Sequence, residues 1–261
     1  MPGHLEDHLA VPPRIGDDDA DKDPSHKPRH ALRIRVLEEF GASGAKLWDV
    51  EFDVAAILFD SDGVLVDSHA AVERSWRQLS REFGLDLDGI RRELIGVRAE
   101  DTLGRHLAGE EFDRAIARLE DLEVASSVGA TEVLGAGALT RSLPVNRWAI
   151  VTSASRRLGI ARWEGAGILR PPVTVAADDV MEGKPHPEPF LTAARMLGVP
   201  PQRCLIFEDS PSGGRAASAA GAAVVAVGHS EWDQEPHARI MDLSGVSVRD
   251  GEDSLLVSIE A

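Results

Sequence analysis

With 261 residues, 43% of them hydrophobic, the chain is long enough to form one large domain or two modest ones around a real hydrophobic core. Its formal net charge of -16 argues against a nucleic-acid-binding protein and against binding to anionic membrane surfaces, because both partners require basic faces. A single cysteine, Cys204, excludes an internal disulfide, and no apolar stretch approaches a membrane span, so we expect a soluble cytoplasmic protein.

The first 50 residues are predicted to be a disordered or weakly structured extension. Residues 1–30 are rich in proline and acidic residues, they lack apolar periodicity, and their scattered histidines follow no metal-ligand spacing. The apolar content of Ala31–Phe40 predicts a short helix, which Gly41 and Gly44 would end.

The stretch FDSDGVLVDS begins at Phe59 and follows an apolar run, Val54–Phe59, that predicts a buried strand. Successive strand side chains point to opposite faces, so Asp60 and Asp62 converge only if the chain turns sharply, as Gly63 permits. Two such carboxylates can act as a nucleophile or metal ligand and as a general acid and base. A strand that ends in an acidic, solvated loop is the alternative.

Residues 69–139 are predicted to form an all-helical block inserted into an α/β domain. Apolar residues recur at helical spacing in His69–Phe83 and again around Ile116. Arg91–Leu107 also has a helical pattern, which is interrupted at Gly96. No convincing strand pattern occurs in this block.

From Leu139 onward, short β-rich runs alternate with helical patterns, which is typical of βα units and a parallel sheet. The fold class is therefore predicted to be α/β, with Leu255–Ile259 as a last strand at the sheet edge. The other predicted strands are Trp148–Thr152, Val173–Ala176, Cys204–Phe207 and Ala222–Val227.

Polar residues follow the predicted strands at the carboxyl ends, where open parallel sheets place their active sites. Ser153 and Ala154 come after one strand, Lys184 lies in a loop restricted by a glycine and prolines, and Glu208 and Asp209 end another strand. Taken alone, such a serine is more often a helix cap and such a lysine is more often a solvated surface charge.

The FDSDGVLVDS stretch, the serine, the lysine and the acid pair stand in the order of the four motifs of the haloacid dehalogenase superfamily, which the chain resembles over residues 54–228. The resemblance implies a Rossmann-like parallel-sheet core, residues 51–68 and 140–261, with residues 69–139 as a helical cap of the C1 type. Leu134 stands where relatives often have a proline, and this departure concerns no catalytic residue.

The resemblance also implies a role for each candidate residue. Asp60 would attack phosphorus and form an aspartyl-phosphate, while Asp62 protonates the departing alcohol and later activates water. Ser153 and the amide of Ala154 would bind a phosphoryl oxygen, and Lys184 would contact the nucleophile and the phosphoryl group.

An acidic protein that binds a phosphate ester must neutralise it locally, which points to a divalent cation. The resemblance implies Mg2+ held by Asp60, by the backbone carbonyl of Asp62 and by Asp209, with Glu208 as a direct or indirect ligand. Relatives that act on haloacids lack the second acid of the pair, so Asp62 favours phosphate esters.

Residues 69–139 contain no lysine, whereas relatives that cleave phosphonates use a cap lysine as a Schiff base. The motifs and the segment Gly96–Thr102 most resemble phosphatases of small sugar and polyol phosphates. A mutase like β-phosphoglucomutase is the closest enzymatic alternative, and a receiver-type signalling module is a remote one. Arg98, the only cation of Gly96–Thr102, is predicted to contact the leaving group unless it is a solvent-exposed surface residue. We expect a monomer without nucleic-acid or membrane partners.

Overall fold

The structure is a computed structural model that describes residues 33–40, 46–91 and 94–260. The predicted disorder of residues 1–30 and the predicted break at residues 41–44 lie outside these ranges. The strands are β1 (Arg33–Phe40), β2 (Lys46–Val54), β3 (Ala56–Phe59), β4 (Val66–Asp67), β5 (Thr131–Glu132), β6 (Trp148–Val151), β7 (Val173–Val175), β8 (Cys204–Glu208), β9 (Ala223–Val227), β10 (Ala238–Ile240), β11 (Val246–Asp250) and β12 (Leu255–Ile259). The helices are α1 (His69–Phe83), α2 (Leu87–Ile90), α3 (Ala99–Leu103), α4 (Gly109–Ser126), α5 (Ala136–Ser142), α6 (Arg156–Ala166), α7 (Glu188–Leu197) and α8 (Pro211–Ala220).

A six-stranded parallel sheet in the order β10-β9-β8-β3-β6-β7 forms the centre of the fold and confirms the predicted α/β class. All four residues of β3 are buried, because β8 and β6 flank it and helices cover both faces of the sheet. Phe59 packs against its neighbours on β8 and β6, and its ring stacks on Phe207 with the centroids 5.2 Å apart. The carboxyl ends of β3, β6 and β8 therefore lie side by side.

A second sheet, antiparallel and in the order β1-β2-β12-β11, corrects two predictions. Residues 33–40 form a strand, so the helix predicted over Ala31–Phe40 is wrong. Leu255–Ile259 is an inner strand of this second sheet, not an edge strand of the parallel one. The physical reason is pairing with β2, whose alternating residues place Phe52 and Val54 in the core beside the apolar residues of β12.

Between β4 and β5, the described residues form helices α1 to α4, in agreement with the predicted helical character of this block. Their apolar faces enclose a core of their own that includes Val72, Trp76, Leu79 and Leu119. The block is not all helical, however, because β5 pairs with β4 in a two-stranded sheet. The division into core and cap stays a prediction. No helix in the described ranges is both long and apolar enough to cross a membrane.

Candidate active site

The chain turns sharply just after β3, and the turn requires glycine. Gly63 has a φ of 79°, a left-handed conformation that residues with a Cβ atom rarely adopt. A Cβ atom at this position would lie 2.2 Å from Asp209 Oδ2 and 2.5 Å from His69 Nε2. His69 Nε2 itself lies 2.7 Å from Asp209 Oδ2. The predicted turn at Gly63 is confirmed, and it brings the FDSDGVLVDS stretch against the end of β8.

Lys184 is buried beside Asp60, with 1% of its surface exposed. Its Nζ donates hydrogen bonds to Asp60 Oδ1, to Glu208 Oε1 at 3.0 Å and to the Val151 carbonyl at 3.3 Å. Burial opposes the charge on the ammonium, but the carboxylates of Asp60 and Glu208 outweigh burial and raise the pKa of Lys184. Lys184 is therefore a charged group that holds the Asp60 carboxylate in place, and not a solvated surface lysine.

Asp60, Glu208 and Asp209 are all buried, and their ligand atoms lie within 4.8 Å of one another. Three carboxylates thus face one ammonium, and negative charge is in excess. Burial and the charge of Glu208 raise the pKa of Asp60, and burial raises the pKa of Asp209 to about 7 against the opposing effect of His69. Asp209 Oδ1 is buried and has no hydrogen-bond partner among the described residues. An unpaired carboxylate oxygen in a negative cluster fits a bound cation, and Mg2+ prefers such oxygen ligands.

Glu208 differs from the other two acids because both of its oxygens are already engaged. Oε1 accepts from Lys184 Nζ and from Ser210 Oγ at 3.1 Å, while Oε2 accepts from the Asp209 N–H at 2.7 Å and the Ser210 N–H at 3.3 Å. A Cβ atom on Gly213 would lie 1.4 Å from Glu208 Oε1, so the carboxylate also packs closely on α8. This arrangement favours an indirect role for Glu208 at a metal, with Asp60 and Asp209 as the direct carboxylate ligands.

Asp62 makes two side-chain contacts that the sequence analysis missed. Its Oδ1 accepts from Ser68 Oγ at 2.6 Å, and its Oδ2 accepts from Arg162 Nη1 at 2.7 Å. Arg162 lies on α6 and is buried, and its Nη2 lies 3.3 Å from Glu123 Oε1 on α4. No motif marks Arg162, and an arginine in a helix is usually a surface residue, so the sequence offers no usable signal for it.

The pKa values of Arg162 and Glu123 are both shifted, and burial and the contact between them contribute to the shifts. Burial opposes the charge on Arg162, but Asp62 and Glu123 more than compensate and raise the pKa of its guanidinium. Burial raises the pKa of Glu123 to about 7, against the opposing effect of Arg162. Arg162 is therefore a charged residue between two carboxylates, one on each side.

Ser153 and Ala154 follow β6, and in this structure their donor groups have protein partners. Ser153 Oγ donates to the Gly96 carbonyl at 3.2 Å, and the Ala154 N–H donates to Thr152 Oγ1 at 3.0 Å. Ser212 Oγ also donates to the Gly96 carbonyl, at 3.0 Å. The segment around Gly96 therefore contacts both the end of β6 and the start of α8.

A cavity of about 260 Å³ lies beside these residues, and Asp62, Ser153, Ala154 and Arg162 belong to its wall. Apolar side chains of α1 and α4 and the segment 94–97 form much of the remainder. Asp60 is not among the lining residues, so Asp62 is the predicted catalytic carboxylate that faces the cavity. A cavity of this size next to a candidate acid and base is suited to a small organic leaving group.

Arg98, the predicted specificity residue, does not line this cavity. Its guanidinium binds Asp101 through Nε at 2.7 Å and Nη2 at 2.8 Å, and its Nη1 donates to the Met181 carbonyl at 3.1 Å. A Cβ atom on Gly183 would lie 2.5 Å from Arg98 Nε, so the side chain packs directly on the loop that carries Lys184. The structure thus places Arg98 at a contact between two protein segments, which differs from the predicted contact with a leaving group.

Comparisons with known proteins show the family to which this chain belongs. A model of the haloacid dehalogenase-like hydrolases matches residues 54–221. Hexitol phosphatase A of Escherichia coli is 42% identical over 177 residues, which cover 65% of this chain and 81% of the relative. Glycerol-1-phosphate phosphohydrolase 2 of Saccharomyces cerevisiae is 31% identical over 186 residues, covering 67% and 74%. A β-phosphoglucomutase structure from Clostridium difficile has a TM-score of 0.65 at 25% identity and covers 73% of this chain and 92% of its own. Since the family model matches more than half of the sequence, the chain belongs to the haloacid dehalogenase-like hydrolases.

Proposed function

We propose that this chain is a magnesium-dependent phosphatase that hydrolyses small sugar or polyol phosphate monoesters. The observation that supports it most is the buried contact between Lys184 and Asp60, next to the carboxylates of Glu208 and Asp209. A carboxylate held by an ammonium at the carboxyl end of a parallel strand is suited to nucleophilic attack on phosphorus. The names of the relatives with 42% and 31% identity, a hexitol phosphatase and a glycerol-1-phosphate phosphohydrolase, support the substrate class.

The proposed reaction has two steps. In the first, an Asp60 oxygen bonds to phosphorus, the bond to the ester oxygen breaks, and Asp62 gives its proton to the departing alcohol. In the second, Asp62 accepts a proton from water, the water oxygen bonds to phosphorus, and the bond to Asp60 breaks. Lys184, Ser153 and the Ala154 amide balance the charge of the phosphoryl oxygens in both steps.

When bound, Mg2+ supplies positive charge that offsets the carboxylates and the phosphate dianion. In this proposal the ligands are Asp60, Asp209 and the backbone carbonyl of Asp62. Glu208 keeps Lys184 and the backbone of Asp209 in position through its hydrogen bonds.

The test is a phosphate-release assay with the purified full chain on hexitol phosphates, sugar phosphates, glycerol 1-phosphate and p-nitrophenyl phosphate, with Mg2+ or with excess EDTA. We expect Mg2+-dependent release from at least one polyol or sugar phosphate, and none from the Asp60→Asn variant. Absence of release from every ester would overturn the proposal, and equal release by Asp60→Asn would overturn the mechanism.

A phosphosugar mutase is the second candidate, and the structural similarity to β-phosphoglucomutase favours it. A mutase returns the phosphoryl group to a sugar, whereas a phosphatase releases inorganic phosphate. Incubation with β-glucose 1-phosphate separates the two, because a mutase forms glucose 6-phosphate and a phosphatase forms glucose and phosphate in equal amounts.

A further inference from the structure

The cavity beside Asp62 has a negatively charged wall. Among the described residues, five carboxylates line it, against one arginine and one histidine. The acidic residues are Asp62, Glu100, Glu120, Glu123 and Asp178, and the two basic residues are His69 and Arg162. This excess of negative charge is unexpected next to a site proposed to bind a phosphate ester, because like charges repel across a partly desolvated space.

The two basic residues are already committed to carboxylates of the protein. Arg162 contacts Asp62 at 2.7 Å and Glu123 at 3.3 Å. His69 Nε2 lies 2.7 Å from Asp209 Oδ2, on the side of the turn that faces the proposed metal ligands. Neither residue therefore offers an uncompensated positive charge to a second anionic group of a substrate.

Glu120 and Glu123 face the cavity from α4, one helical turn apart. Glu123 is buried against Arg162, and Glu120 accepts a hydrogen bond from Ser155 Oγ and lies 2.9 Å from Arg157 Nη1. A carboxylate has about four lone-pair sites, so these contacts leave both groups able to accept further hydrogen bonds.

Arg157 weakens the charge of Glu120 only in part. It also binds Asp121, and its side chain is 55% exposed, so solvent screens its effect. Arg157 is not among the residues that line the cavity. The wall of α4 therefore presents acceptors and negative charge to whatever occupies the cavity.

From this distribution of charge we propose that Glu120 and Glu123 determine leaving-group specificity by accepting hydrogen bonds from the hydroxyls of a neutral polyol and by rejecting an alcohol with a second anionic group. The inference rests on the proposed phosphatase function and adds the residues that select among its substrates. A hydroxyl that donates to a carboxylate makes a short, charge-assisted hydrogen bond. A second carboxylate or phosphate in the same place loses water and meets like charge, and the described lining residues include no uncommitted cation to pair with it.

The test compares two esters that share a six-carbon chain and one phosphate. Glucitol 6-phosphate ends in a hydroxymethyl group, and 6-phosphogluconate ends in a carboxylate at the same carbon. The test measures kcat/KM for both esters at pH 8, which is above the pKa of about 7 to which burial raises Glu123. We expect the wild-type chain to prefer glucitol 6-phosphate by about 100-fold, and Glu120→Gln and Glu123→Gln each to lower this preference by about 10-fold, which corresponds to about 1.4 kcal/mol. Glutamine keeps the shape and an acceptor oxygen, so the change isolates the charge.

Glu111→Gln is the matched control, because Glu111 is an exposed acid on the same helix. It removes the same charge from the chain and should leave the preference unchanged. If the wild-type chain hydrolyses both esters equally, or if both variants keep the wild-type preference, the inference is overturned while the phosphatase function stands. If the wild-type chain hydrolyses neither ester and not p-nitrophenyl phosphate, the phosphatase function itself fails. Glu120 is partly exposed, so its variant decides the question even if Glu123→Gln does not fold.

Discussion

Arg162 Nη1 lies 2.7 Å from Asp62 Oδ2, so a buried arginine of α6 holds the carboxylate that is proposed to move the proton. Ser68 Oγ holds the other oxygen of Asp62 at 2.6 Å. Two directed contacts on two oxygens fix the orientation of the carboxylate, and proton transfer to a leaving group depends on that orientation. Arg162 is therefore a positioning residue that acts through Asp62.

Replacing Arg162 should lower kcat with little change in KM. Arg162→Gln removes the charge and most of the directed contact, and we expect kcat to fall by about 100-fold, as for a catalytic group displaced by about 1 Å. Arg162→Lys keeps the charge but lacks the planar guanidinium, so kcat should fall less in this variant than in Arg162→Gln. Arg114→Gln, a change at an exposed arginine on α4, is the control. A folded Arg162→Gln variant with wild-type kcat would contradict the role.

Replacing Asp60 and replacing Asp62 should impair different parts of the reaction. Asp60→Asn removes the proposed nucleophile and should abolish turnover while thermal unfolding stays close to that of the wild type. Asp62→Asn leaves the proposed nucleophile but removes the proposed general acid and base, so both formation and breakdown of the phospho-enzyme should slow. Rapid-quench measurement of protein-bound phosphate distinguishes the two, and phospho-enzyme formed by Asp60→Asn would identify a different nucleophile.

The sequence predicts the strand ends of the parallel sheet well, and the reason is topological. Parallel strands bring their carboxyl ends to one edge, so Asp60, Lys184 and Asp209 could be expected near one another although they are far apart in the chain. The structure places Asp60 and Asp209 in one buried cluster and Lys184 against Asp60. Short motifs with turn-forming glycines and prolines carry this information locally.

The parts that the sequence did not predict depend on partners distant in the chain. Strand β2 is stabilised by β12, and Val54 pairs with Leu255. The sequence of either segment alone does not indicate that the other is its pairing partner. Likewise, Arg162 and Glu123 meet only because α4 and α6 pack together, and each reads as a surface charge by itself. In both cases the observed structure depends on tertiary contacts that local sequence patterns do not predict.

The metal should stabilise the fold as well as support turnover. Three buried carboxylates repel one another, and a cation that binds the native chain raises its stability by mass action. We expect millimolar Mg2+ to raise Tm of the wild-type chain, and Asp209→Asn to reduce that rise. Ca2+ prefers more ligands and longer bonds, so it should raise Tm yet inhibit turnover. A Tm that is independent of Mg2+, together with full activity in EDTA, would remove the metal from the mechanism.

Glu123 should lower the free energy of unfolding as the pH rises. Burial raises the pKa of Glu123 from 4.5 to about 7 in the folded chain. The stability that the neutral Glu123 carboxyl contributes is therefore fully present below about pH 4.5 and is lost as the pH rises through about 7. The loss is at most about 3 kcal/mol. Glu123→Gln cannot lose a proton, so the variant should gain stability relative to the wild type between pH 5 and pH 8. Urea unfolding at both pH values measures this change, and a difference that is the same at both would contradict it. Glu111→Gln should give no pH-dependent difference.

Arg98 joins two segments next to the site, and its replacement tests what that contact does. The guanidinium binds Asp101 on α3 and the Met181 carbonyl near Lys184, while two serines bind the neighbouring Gly96 carbonyl. These contacts hold the segment 94–98 against the loops that carry Ser153 and Lys184.

We therefore expect Arg98→Ala to act on every substrate alike. Loss of the contact loosens the loop of Lys184, and kcat/KM for glucitol 6-phosphate and for p-nitrophenyl phosphate should both fall by about 10-fold, the cost of about one charged hydrogen bond. Asp101→Ala removes the partner and should reproduce the effect, whereas Arg114→Ala should not. A loss confined to glucitol 6-phosphate would instead place Arg98 on the leaving group, as the sequence predicts, and would mean that the side chain leaves Asp101 when substrate binds.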